Sequence, residues 1–74
     1  MYYFVYTNAP DSPSYLLAIY NAKNVDALES IRKEWDQRYG GYYEIREGTW
    51  SGDGKIPEYK DLTYVKRRKN DHEA

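Results

Sequence analysis

Nucleophilic or acid–base chemistry needs a reactive side chain with a partner held within hydrogen-bond reach. This chain offers little of that material. Its single imidazole is His72, in a polar C-terminal stretch that cannot hold a catalytic geometry. Ser12, Ser14, Ser30 and Ser51 have no histidine near them in sequence. Asp26, Glu29, Glu34 and Asp36 could be read as carboxylate pairs, but a solvated, salt-bridged helix face accounts for them better. Cysteine is absent, which excludes thiolate chemistry and disulfides and nearly excludes a structural zinc site. The run Ser51-Gly52-Asp53-Gly54-Lys55 resembles a phosphate or calcium loop only in outline. It lacks both the Gly-Lys-Ser/Thr ending and the repeated acidic positions, so a turn is the expectation. No catalytic residue, metal ligand or cofactor is expected, and the chain is not read as an enzyme.

Two groups are better suited to binding. Lys66, Arg67, Arg68 and Lys69 form the main charge cluster, and with Tyr64 they could contact phosphates and stack unpaired bases. Strand alternation would split them between two faces, and the net charge of −1 supplies no global attraction for nucleic acid. An edge strand protected by charge is the competing explanation. The second group is aromatic: ten tyrosines, two tryptophans and one phenylalanine in 74 residues. A small core without cysteine can use several for packing. Ten buried hydroxyls would each need a partner, so some tyrosines are expected at a recognition surface.

The elements that must position these residues follow from pattern. Asn24 to Tyr39 carries the one clear helical period, with Leu28, Ile31 and Trp35 on a stripe flanked by Ala27 and Tyr39. Asn24 is the expected N-cap, Asp26 complements the positive end of the helix, and Gly40-Gly41 ends it. Glu29 and Lys33, and Glu34 and Arg38, are spaced to pair on the wet face. Tyr2 to Thr7 and Tyr15 to Tyr20, extending to Asn21, read as strands joined through the turn chemistry of 8–14. Tyr42 to Glu47 is a third strand, with Tyr43 and Ile45 alternating against Glu44 and Arg46, and Trp50 a candidate extension. Pro57 argues against a central strand at Ile56 to Tyr59. Leu62 to Lys69 is a fourth strand, and Asn70 to Ala74 is a polar tail. The order β-β-α-β-β predicts one α+β domain over 1–69: an antiparallel sheet of about four strands with one helix packed on one face.

One helix covers one face, and the first two strands have no polar side. Phe4, Leu17, Ile19 and Ile45 are assigned to the helix side. Tyr3, Val5, Leu16, Ala18 and Tyr20 are assigned to an open aromatic face. Tyr3, Tyr20, Tyr42, Trp50 and Tyr59 are the expected partner-binding residues. Trp35 is expected to anchor the core.

The arrangement Tyr2–Thr7, Tyr15–Asn21, Asn24–Tyr39, Tyr42–Glu47, Leu62–Lys69 resembles small phage-encoded inhibitors of the anti-CRISPR class in size and architecture. That resemblance implies a single domain without catalytic residues that blocks a larger host machine by surface contact. The open aromatic face and the lack of catalytic groups make the leading expectation a protein-binding module, an inhibitor or regulator of a larger protein or protein complex, with the cytoplasm as the default compartment. The alternatives are a single-stranded nucleic-acid binder using Lys66, Arg67, Arg68 and Lys69, and a homodimer closed over the open face. The chain has no apolar run long enough to span a bilayer.

Overall fold

The structure is a computed structural model that describes residues 1–22 and 25–66. β1 (Tyr2–Thr7), β2 (Leu16–Asn21), α1 (Val25–Tyr39), β3 (Tyr43–Gly48) and β4 (Thr63–Tyr64) follow in chain order. The strands form one antiparallel sheet in the order β2-β1-β3-β4, an α+β fold as the pattern predicts. A single-turn 3-10 helix, Tyr59–Asp61, stands where Pro57 argued against a strand. The expected cap Asn24, the residues Arg67, Arg68 and Lys69, and the tail 70–74 lie outside the described residues. Among the described residues, no helix is long and apolar enough to cross a membrane.

The helix forms where its apolar stripe repeats, and Gly40, at φ 61°, takes the left-handed turn that ends it. Gly40 N donates to the Asp36 carbonyl at 3.0 Å. Ile31 and Trp35 are buried, with Leu28 packed beside them. Beside the stripe Glu34 and Arg38 form the expected pair at 3.1 Å, exposed and therefore weak. The stripe meets Val5, Tyr43 and Ile45 of the sheet, with Tyr3, Leu17, Ala18, Tyr20 and Val65 around them. Polar groups within this layer are matched. The Trp35 indole donates to the Tyr20 hydroxyl at 2.9 Å, and the Tyr43 hydroxyl donates to Asp36 Oδ1 at 2.7 Å. Arg32 Nη2 reaches the carbonyls of Val65 and Lys66 at 3.1 and 3.3 Å, tying the helix to the chain beyond β4.

The assignment of faces needs correcting. Phe4 and Ile19 point away from the helix, and Tyr3, Val5, Ala18 and Tyr20 point towards it. Leu17 and Ile45 are on the helix side and Leu16 on the other, as assigned. Two physical facts produce the reversal. β1 is apolar at almost every position, so alternation does not say which set faces inward. A register shift at Val5/Tyr6 pairs Val5 with Ala18 and Tyr6 with Leu16, which puts the successive residues Leu17 and Ala18 in one cluster.

The second face is also not open. Residues 49–62, between β3 and β4, fold back across it. Leu62 is buried there with Phe4 and Tyr6, and Tyr2, Leu16, Ile19 and Trp50 surround them. Trp50 does not extend β3. It packs edge-on against Tyr2 and Phe4, with ring centroids 5.3 and 6.5 Å away. Leu62 precedes β4 instead of belonging to it, and β4 pairs with β3 only through Thr63 and Tyr64. Gly48 is what lets the returning chain in: a Cβ there would stand 2.5 Å from Leu62 Cδ2.

Trp35 is 5% exposed, and Trp35→Ala should cost about 3–5 kcal/mol, read as a collapse of the urea midpoint. Trp50→Ala, which removes a half-buried ring from the smaller cluster, should lose less and keep the folded far-ultraviolet spectrum. Gly48→Ala should destabilise by about 1–3 kcal/mol through overpacking against Leu62, measured the same way.

Candidate interaction surface

β3 sends Tyr43 and Ile45 to the helix and Glu44, Arg46 and Gly48 to the second face. Glu44 and Arg46 are therefore neighbours on one side of one strand, two positions apart. Glu44 is 8% exposed, and a buried carboxylate must be paired. Arg46 Nε donates to Glu44 Oε2 at 2.6 Å, and the Tyr59 hydroxyl donates to the same oxygen. Arg46 Nη1 donates to the Leu62 carbonyl at 2.9 Å. One ion pair thus holds both ends of the 3-10 turn, at Tyr59 and at Leu62.

The aromatic rings follow from that anchor. The Arg46 guanidinium carbon lies 4.0 Å from the centroid of the Tyr59 ring and 6.0 Å from that of Tyr64, its register partner on β4. Tyr59 in turn meets Tyr6 edge-on at 5.0 Å. The result is a row, Tyr6–Tyr59–Arg46–Tyr64, whose inner end is core and whose outer end is surface. Tyr59 is 37% and Tyr64 48% exposed. Beside it the returning chain makes an open cleft of about 760 Å³, lined among others by Trp50, Lys55, Ile56, Pro57, Glu58 and Lys60. The Trp50 indole donates to the Lys55 carbonyl at 3.1 Å across this loop. Asp53 Oδ1 accepts from Lys55 N, and its hydrogen bonds from Ser51 and Lys55 lower its pKa. The Gly-Asp-Gly run is a turn closed by its own aspartate.

The electrostatics favour holding over reacting. Burial raises the pKa of Tyr59, and its hydrogen bond to the Glu44 carboxylate raises it further. Burial and the neighbouring Tyr59 raise that of Tyr6. Burial works against the Arg46 charge, but the hydrogen bonds with Glu44 and Tyr59 outweigh it and its pKa moves up. Each of these groups is held in its ordinary neutral-pH form, and the carboxylate is engaged by two donors. The cluster presents flat rings around a fixed guanidinium.

The residues expected to bind a partner do not form one patch. Trp50 and Tyr59 share the second face. Tyr3 and Tyr20 are half-buried against the helix, with the Tyr20 hydroxyl occupied by Trp35. Tyr42, 56% exposed, sits at the far end of β1, where Asn8 N donates to its carbonyl and Thr7 N to that of Tyr15. Lys66 is exposed just after β4. Tyr64 was read only beside the basic cluster, as a ring for base stacking, and Glu44 and Arg46 were not singled out as site residues from sequence. Their signal was present, as opposite charges at alternate positions of a strand, but it reads equally well as a solvent face. Among the described residues, no group of three or more acidic, histidine or cysteine side chains could hold a metal ion. Comparison with protein-family models, with curated proteins and with solved structures finds no match.

The raised tyrosines give a test by titration. A group whose folded pKa lies above its unfolded value, about 10 for tyrosine, stabilises below that value and loses the contribution as pH rises through the folded pKa. The last phenols to ionise, followed by phenolate absorbance, should be lost one each in Tyr6→Phe and Tyr59→Phe. The urea midpoint should fall above about pH 10 less steeply in Tyr59→Phe than in the parent chain.

Proposed function

We propose that this chain is a non-enzymatic protein-binding module that inhibits or regulates a larger protein assembly. The observation that carries this reading is the exposed pair Tyr59 and Tyr64 flanking a guanidinium fixed by Glu44 and Leu62. Tyrosine, tryptophan and arginine dominate the energetics of protein interfaces. Rings already immobilised lose little further entropy on binding. The resemblance in size and architecture to small phage-encoded inhibitors supports the same reading.

The partner is first captured from the cells that carry the protein, then purified and titrated. Tyr64→Ser should weaken binding by at least about tenfold, as expected for an interface anchor, while the melting temperature stays near that of the parent. Unchanged affinity would remove this surface from the interface.

A second reading, single-stranded nucleic-acid binding, draws on the exposed Tyr64 ring close to Lys66. Phosphate contacts release counterions, so binding of a labelled oligonucleotide would weaken steeply with salt. Absence of binding at low salt rejects it.

A further inference from the structure

The strand order leaves β2 at one edge, hydrogen-bonded to β1 along one side, and among the described residues no segment pairs with its other side. An edge strand is a template for another strand, and folded proteins commonly blunt it with lysine, proline or a covering segment. The opposite edge is the short β4. β2 has no such residue: its six positions, Leu-Leu-Ala-Ile-Tyr-Asn, carry no charge and no proline. Its register shift lies at the Leu16 end, so the edge from Ala18 to Asn21 is regular. Leu16 to Tyr20 are all half-buried, leaving apolar surface on both sides of the sheet for a neighbour to cover.

We propose that β2 pairs antiparallel with β2 of a second copy of this chain, about a two-fold axis, joining two sheets into one. Self-complementarity is the argument for a second copy over a foreign strand. Ala22 N donates to the Met1 carbonyl at 3.0 Å, so position 22 faces β1. By alternation the backbone groups of Tyr20 and Ala18 also face β1, and those of Ile19 and Asn21 point outward. An axis at Ile19 therefore opposes outward groups to outward groups. On the face away from the helix it sets Ile19 against its own counterpart. On the helix face it sets Ala18 against Tyr20, the smallest side chain of the strand against the largest. No like charges meet, and the contact closes on itself. This edge is separate from the Tyr59–Tyr64 surface, so one can fail without the other.

Sedimentation of the full chain from micromolar to near-millimolar concentration is the test. A monomer–dimer equilibrium is expected. Ile19→Lys and Ile19→Glu each place like charges opposite one another at the axis and should raise the dimer dissociation constant about tenfold or more. An equimolar mixture of the two should restore association. Asn21→Pro removes an outward amide without touching the β1 ladder, and should weaken the dimer while circular dichroism stays that of the parent. A chain that remains monomeric throughout, a dimer that none of these variants weakens, or charge variants that do not recombine when mixed would each overturn the proposal.

Discussion

A sheet whose central strand is apolar on both sides has two faces to keep from water, and this chain has one helix. Everything else in the structure answers that constraint. β1 buries Phe4 and Tyr6 on one face and Val5 on the other, and Phe4 and Val5 are each 0% exposed. The helix covers Val5 and Ile45 through Ile31 and Trp35. The connection from β3 to β4 covers Phe4 and Tyr6 through Leu62, with Trp50 and Tyr59 as its flanks. An irregular segment does the work of a second layer because it is pinned at defined points and carries large rings.

The pin is polar. A buried ion pair such as Glu44–Arg46 contributes little net stability, since desolvation offsets most of the attraction. What it adds is definition. The carboxylate holds the Tyr59 hydroxyl, and the guanidinium holds the Leu62 carbonyl, so the turn between them has one placement. The same two contacts turn the Tyr59 and Tyr64 rings about Arg46. Covering the core and presenting a surface are in this way one arrangement, which links the packing of the second face to the proposed protein-binding role.

The helix, its end at Gly40, the succession of elements along the chain and the Trp35 anchor were legible because each rests on a local pattern: a stripe at helical spacing, a glycine after it, aromatic and β-branched runs. The faces were not. β3 alternates cleanly, and its register opposite β1 pairs Val5 with Ile45, but pairing register is a long-range fact that no single strand carries. The shift opposite Val5 then breaks the alternation of β2, where Leu17 and Ala18 share a side. Residues 48–61 read as an awkward connection because Pro57 and the glycines argue against regular structure, and Leu62 read as the start of a strand. Nothing local says that Leu62 will lie against Gly48. The missing Cβ at Gly48 is visible only once the two are brought together.

The central claim is that the sheet is covered on both faces, and nuclear Overhauser contacts at Leu62 test it most directly. The account predicts strong cross-peaks from the Leu62 methyl protons to the Gly48 α-protons and to the Phe4 ring. Cross-peaks from the Trp50 indole to the Tyr2 ring should accompany them. Leu62 methyls at random-coil shifts, with no contact to Gly48 or Phe4, would mean that the second face is open and that the account of this surface is wrong.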